Sequence, residues 1–157
     1  MYLKITLIIF GLLYSATLLA QSNKFINKHF DALNSHDINA IINDYDDSTK
    51  IYAPNWEGAK VGKAGATEIF SRYFSSTTDL HFQINNIIDA TEKVIVEYTT
   101  SGTFDNPEPN TPTYMKGKKY KLNYCTVFII SKGKIKKQVD YFDQVAFLRQ
   151  VGFFDQK

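Results

Sequence analysis

Apolar residues recur at intervals of three and four along residues 23–45, at Phe25, Ile26, Phe30 and Leu33 and again at Ile38, Ile41, Ile42 and Tyr45. That spacing lays one face of a helix against a core. The polar break Asn34-Ser35-His36-Asp37 divides the stretch into two helices, because Ser35 or Asp37 can accept the free amide hydrogens that open the second. His36 falls in the turn between them, where a surface or capping role is expected. A short strand from Lys50 to Ala53 ends at Pro54, and Gly58, Gly62 and Gly65 punctuate a loop. Ala66, Ile69, Phe70, Tyr73 and Phe74 then return to helical spacing and close on Ser75-Ser76, which predicts a third helix of about ten residues.

After Asp79 the period becomes twofold. Leu80, Phe82, Ile84 and Ile88 alternate with polar residues, as do Val94, Val96, Tyr98 and Thr100, the signature of strands with one buried face. A loop from Asn106 to Pro112 carries three prolines. It leads to a third strand, Tyr114 to Ile130, which Ser131-Lys132-Gly133-Lys134 turns into a fourth, Ile135 to Phe142. Residues 145–154 have the apolar spacing of a short closing helix. Helices first and strands after them, in one small unit, predict an α+β domain: a curved, mixed, mostly antiparallel sheet shaped as a cone, with three N-terminal helices over its concave face.

The first twenty residues read differently. Lys4 supplies a positive charge ahead of an apolar stretch running from Ile5 to Ala20, short for a spanning helix and typical of a secretory signal. Cleavage after Ala20 would leave residues 21–157 as one domain in the periplasm or outside the cell; a retained anchor is the alternative, since Leu18 is not the small residue a signal peptidase prefers.

Composition changes this picture in two places. Aromatic residues make up 15% of the chain, 12 Phe and 10 Tyr against one Trp, enough to fill a wide core or to line a cavity of mixed apolar and hydroxyl character. The formal charge of +2 argues for no polyanionic partner, so nucleic acid is not expected. Local clustering is another matter: four lysines from Lys116 to Lys121 and four from Lys132 to Lys137 fall in a stretch without acidic residues. On paired strands they would make a basic stripe, either guarding a sheet edge or weakly attracted to an anionic envelope surface. Cys125 is the single cysteine and His29, His36 and His81 are the only histidines, in no metal-binding spacing, so neither a disulfide framework nor a metal or other cofactor is expected.

Several of these segments together resemble the nuclear transport factor 2-like superfamily, in its SnoaL-like branch of polyketide cyclases and ketosteroid isomerases. They are Asn34-Ser35-His36-Asp37 followed by Asp46-Asp47, then Ile51-Tyr52-Ala53-Pro54, Gly62 ahead of the third helix, Val94 to Phe104, Gly133-Lys134-Ile135 leading to Asp140-Tyr141-Phe142-Asp143, and Leu148 to Phe153. The resemblance spans about Phe25 to Phe153. It implies a conical cavity with an acidic residue of the last strand handling protons, while many functions share the fold.

Two carboxylates compete for that place. Asp140 and Asp143 are three positions apart, so on a regular strand they face opposite ways. The alternation of Ile135, Val139 and Tyr141 puts Asp143 on the apolar side, whereas the resemblance to limonene epoxide hydrolase puts Asp140 in the cavity beside Gln138 and Phe142. Asp140 is the favoured candidate, and Asp143 is expected to cap the final helix. In an apolar cavity a carboxyl's charged form is disfavoured, which raises its pKa toward neutrality and suits it to general acid or base work. Strand parity adds Tyr98 and Thr100 to the inward face. The resemblance adds Tyr52 and Trp56 at the mouth, and Tyr98 or Tyr52 would steady an enolate oxygen. Tyr98 and Thr100 stand where the epoxide hydrolase has its Arg and second Asp, which argues against that reaction. The expected function is the binding of a small, largely apolar molecule in the cone, with a cyclase or isomerase using Asp140 or Asp143, or a non-catalytic dimerisation module, as alternatives. The expected partners are that molecule and a second copy of the chain, docked through the convex face near Ile129, Val139 and Tyr141.

Overall fold

The computed structural model describes residues 22–90, 93–109 and 111–155; the targeting segment read over residues 1–20 lies outside them. Helix α1 covers residues 22–34 and ends in the polar break, where each residue has a local task. Asn34 accepts from the Phe82 N–H at 2.8 Å and donates to the Phe82 carbonyl at 2.9 Å, so an amide side chain fills a ladder position beside the edge of the sheet. His36, for which a surface or capping role is expected, is half-buried: its φ is 53°, its Nε2 hydrogen-bonds the Leu80 carbonyl at 2.8 Å, and its ring stacks on Phe74. Asp37 caps α2 (Ile38–Asn43), accepting from the Ala40 N–H at 3.0 Å.

Strands β1 (Tyr45–Tyr52), β2 (Lys60–Val61), β3 (His81–Ala90), β4 (Lys93–Phe104), β5 (Lys118–Ser131) and β6 (Lys134–Phe142) form one open sheet in the order β2-β1-β6-β5-β4-β3. Its neighbours pair antiparallel except β1 with β6. Helices α1, α2 and α3 (Gly62–Ser76) cover the concave face, as the pattern predicts, and α4 (Gln144–Gln150) follows β6. Several boundaries differ from the sequence reading: β5 begins at Lys118 rather than Tyr114, which lies in a 3-10 turn over Thr113–Met115, and α4 ends at Gln150 rather than Phe154. β1 begins at Tyr45 rather than Lys50, because the Ile135 N–H already donates to the Asp44 carbonyl and pulls the chain into the sheet there. α3 begins at Gly62 rather than Ala66.

Twofold alternation fails at two places, each with one residue too many. Opposite β4, β3 steps from Ile84 to Asn86 between Tyr98 and Glu97. The extra Asn85 reverses the parity, so Ile87 packs on the core while Ile88, expected inside, is exposed. Opposite β5, β6 steps from Ile135 to Lys137 between Ile130 and Ile129. The extra residue is Lys136, and from there Gln138, Asp140 and Phe142 share the side of Ile135. The buried hydroxyl of Thr49 holds this second irregularity, accepting from the Asp46 N–H at 2.9 Å and donating to the Ile135 carbonyl at 2.5 Å. Lys136 pairs with Asp46 at 2.5 Å, and that ion pair, with bonds from Ser48, keeps the Asp46 carboxyl well below the usual carboxylate range.

The same register divides the lysines. Lys118, Lys119 and Lys121 lie opposite Phe104, Thr103 and Ser101, past the end of β6, whereas Lys134 and Lys137 pair with Ser131 and Ile129 at the other end of β5. They form two separate groups and not the stripe expected.

Gly62 has φ +63°, and a Cβ there would lie 2.3 Å from the Asp47 carbonyl oxygen. Gly62→Ala therefore meets both a left-handed backbone and an immovable neighbour. The expected loss is at least about 2 kcal/mol of unfolding free energy in urea titration; a loss under about 0.5 kcal/mol contradicts this packing.

Candidate functional site

The inward faces of the strands build the floor of the cone in cross-strand rows. One row runs Ile84, Tyr98, Tyr124, Phe142, the next Ile87, Val96, Thr126, Asp140, and the next Val94, Phe128, Gln138, Ile51. In the first row the rings stack, Tyr98 on Tyr124 at 5.2 Å and Tyr124 on Phe142 at 4.5 Å between centroids. They wall one side of a cavity of about 240 Å³. Phe30, Ile69, Phe70 and Tyr73 of the helices form its roof. A dry cavity of about 150 Å³ already takes up benzene, and sites for drug-sized ligands begin near 300 Å³, so the space suits a molecule of one or two rings.

Asp140 is 8% exposed and lies in the middle row. Thr126 donates its hydroxyl to Oδ1 at 2.7 Å, and the Gln138 amide donates to Oδ1 and Oδ2 at 2.9 and 3.0 Å. The donors are themselves oriented. Tyr45 donates to Gln138 Oε1 at 2.6 Å, which fixes the amide with its NH₂ toward the carboxyl. Thr126 spends its proton on Asp140, so in the 3.0 Å contact with Tyr98 the phenol is the donor. Burial raises the Asp140 pKa from 3.8 to about 6 against the lowering effect of the Thr126 and Gln138 bonds. Desolvation prevails because two neutral donors do not replace the water a carboxylate loses.

Four phenols surround this group. Tyr45, Tyr73, Tyr98 and Tyr124 all have raised pKa values, first from burial, with the Asp140 charge contributing to each. They stay protonated donors through the neutral range. Tyr45 and Tyr98 already spend their protons on Gln138 and Thr126. Tyr73 receives a bond from Asn55 Nδ2 at 3.1 Å and Tyr124 has none, so both hydroxyl protons are without an acceptor among the described residues.

Of the residues singled out in the sequence, Asp140, Gln138, Phe142, Tyr98 and Thr100 line this cavity together. Thr100 Oγ1 is buried without a partner among the described residues. Three others lie elsewhere. Asp143 follows β6, and its carboxylate caps α4 by accepting from the Ala146 N–H at 2.9 Å. The alternation that pointed Asp143 inward is broken at Lys136. Tyr52 pairs with Val139 and carries Lys137 Nζ 5.5 Å above its ring, on the convex face. Trp56 packs against the core with its indole N–H without a partner among the described residues, and its neighbour Asn55 lines the cavity instead. Tyr73, Tyr124, Thr126 and Asn55 are site residues that the sequence reading passed over. Tyr124 and Thr126 could have been found from the parity of Leu122 and Phe128, whereas nothing in the sequence separates Tyr73 from ordinary helix core.

A family profile for the SnoaL-like domain matches residues 26–138. No curated protein matches the chain. Among solved structures, a SnoaL-like protein from Jannaschia sp. CCS1 superposes with a TM-score of 0.74 at 16% identity, over 84% of this chain and 92% of that one. AclR from Streptomyces galilaeus gives 0.73 at 16% identity, over 85% and 97%. The epoxide hydrolase/cyclase-like enzyme SalBIII, of pyran ring formation in salinomycin, gives 0.68 at 17% identity, over 81% and 94%. At such identities the likeness is one of fold.

A raised pKa makes Asp140 a source of pH-dependent instability. Between about pH 4 and pH 6 the folded state keeps a proton on Asp140 that the unfolded chain releases, so this contribution to stability is full below pH 4 and is lost as pH rises through 6. The gap between 3.8 and about 6 corresponds to about 3 kcal/mol. Asp140→Asn removes the titration, so the variant should gain on the wild type by up to about 3 kcal/mol between pH 4 and pH 8 in denaturant titrations, and a difference flat with pH contradicts the burial argument.

Proposed function

This chain belongs to the SnoaL-like domain family, and on that premise we propose that its cone binds a small, largely apolar carbonyl compound and moves a proton on it through Asp140. The observation that supports this reading is the conjunction of a buried carboxyl with pKa near 6 and two phenol protons without an acceptor, all facing one cavity. In the ionised form, Asp140 Oδ2 carries only one shared hydrogen bond and can take a proton from the carbon next to a carbonyl. Charge then develops on the carbonyl oxygen. A Tyr73 or Tyr124 hydroxyl donating to that oxygen stabilises the enolate without having to break a bond inside the protein first. Returning the proton to a different atom completes an isomerisation, and attack of the enolate carbon on a second carbonyl of the same molecule, whose oxygen takes up the proton held by Asp140, completes a ring closure. Tyr98 and Tyr52 are not the donors in this scheme, since the Tyr98 proton is committed to Thr126 and Tyr52 faces away.

The same proposal carries an exported location, from the apolar stretch of residues 5–20, and a homodimer. Across the convex face Ile88, Ile95, Val127, Val139 and Tyr52 are cross-strand neighbours in a continuous row, with Tyr141 56% exposed nearby and α1–α3 all on the other side. An apolar band of this kind is removed from water when two copies pair face to face. Val127→Glu should convert a dimer to a monomer in sedimentation velocity; a wild type that sediments as a monomer at micromolar concentration rejects the dimer.

Hydrogen–deuterium exchange at the carbon beside the carbonyl of 2-tetralone, followed by proton NMR in D₂O, tests the proton transfer without knowledge of the natural substrate. Wild type should accelerate exchange, and Asp140→Asn should lose about 10²- to 10⁴-fold of that acceleration. An unchanged rate in the variant, or no acceleration by the wild type, removes the catalytic role and leaves binding alone.

A further inference from the structure

The roof of the cavity holds a second polar group that the proton-transfer scheme does not use. His29 of α1 lines the cavity and is 1% exposed. Its Nδ1 lies 2.8 Å from Asp44 Oδ2, and an ionised carboxylate only accepts, so Nδ1 carries a proton; in the neutral imidazole Nε2 then carries the lone pair. Aromatic rings pack around the imidazole: Phe25 stacked at 6.5 Å, and Tyr45, Phe128 and Phe30 edge-on at 5.7, 6.1 and 6.3 Å. Nε2 has no hydrogen-bond partner among the described residues. Tying α1 to the start of β1 uses one nitrogen of the ring, and the other is left for the cavity that His29 lines.

We propose that His29, held in one tautomer by Asp44, presents Nε2 to the cavity as the acceptor for a hydroxyl of the bound molecule, so that the ligand carries a phenolic or enolic O–H besides its carbonyl. The placement gives the two ends of the site different tasks. The sheet floor offers the Asp140 carboxyl and the Tyr124 hydroxyl, suited to a carbonyl and the carbon beside it. The helical roof offers a lone pair aligned by a carboxylate, suited to an acidic hydroxyl, and a carbonyl turned the wrong way would meet a nitrogen with no proton to give. His29 is thereby a positioning and specificity-determining residue. The inference rests on the cavity being the ligand site, as proposed above, and it narrows the ligand from an apolar ketone to a hydroxylated one.

The test uses 2-naphthol and naphthalene as probes of the same shape, with the chain labelled with ¹⁵N at histidine. In the free protein the His29 signals should show Nδ1 protonated and Nε2 bare. Bound 2-naphthol should move the Nε2 resonance and bound naphthalene should not, and 2-naphthol should bind roughly tenfold more tightly, the factor that one hydrogen bond of ordinary strength supplies. The double variant His29→Phe with Asp44→Asn removes the imidazole without stranding a buried charge, and should bring that ratio close to one; should the variant not fold, the wild-type resonances decide by themselves. Protonated Nε2 in the free protein, an Nε2 signal unmoved by bound 2-naphthol, or a tenfold ratio that survives the double variant overturns the proposal. If the ratio instead collapses in Asp140→Asn, the hydroxyl is read at the floor, and the inference about His29 fails while the role of Asp140 stands. If neither probe enters the cavity, both fail.

Discussion

One extra residue in β6 decides what this cone can do. A strand has only two faces, so the side chains of β6 that meet the helices are set by parity, and parity is set by where the alternation slips. Lys136 is that slip. Without it, the side of Ile135 would continue through Lys137, Val139 and Tyr141, and the cone would be lined by a lysine and two ordinary core residues. With it, Gln138, Asp140 and Phe142 turn inward together. Thr49 anchors the irregularity from beneath with its hydroxyl, and the Lys136–Asp46 pair anchors it from outside, so the local loss of ladder bonds is compensated where it occurs.

The electrostatic consequences follow from the company Asp140 keeps. Its row lies between a ladder of stacked rings and the row of Phe128, and the donors that reach it are neutral. No cation is among the causes acting on its pKa. A carboxyl in such surroundings is neither a firm anion nor a firm acid at neutral pH. Around it, the hydrogen-bond directions are fixed in series, Tyr45 to Gln138 to Asp140 and Tyr98 to Thr126 to Asp140, so the polar groups point their protons at the carboxyl without rearrangement. Aromatic content in this chain thus serves two purposes. The phenyl rings exclude water, and the phenols place hydroxyl groups where water is excluded.

The architecture was legible because the hydrophobic period changes once, from helical to twofold, and the polar break at Asn34 to Asp37 is local chemistry that a sequence displays. Bulges do not announce themselves in this way. Asn85 and Lys136 are polar residues in polar positions, and the register that makes them surplus is set by the partner strands. This is why Ile88 was expected inside and is exposed, and why apolar alternation pointed to Asp143 when the resemblance pointed to Asp140. The pair of His29 and Asp44 escaped for a related reason. His29 shares the buried helical stripe of Ile26, Phe30 and Leu33, but its partner is fifteen positions away, and no spacing rule joins a helix to the residue that precedes the first strand. The lysines failed as a stripe because β5 extends well past β6, a matter of strand length and pairing that composition does not record.

The central claim is that the slip at Lys136 buries one carboxyl in the cone and that burial makes it titrate near neutrality. It is tested most directly by following the side-chain carboxyl carbon of Asp140 by NMR as pH is varied in the folded protein. A midpoint close to 6 is the result this account requires. A midpoint at or below about 4, the range of a carboxylate in water, would mean that Asp140 is solvated and that the cone has no acid–base centre.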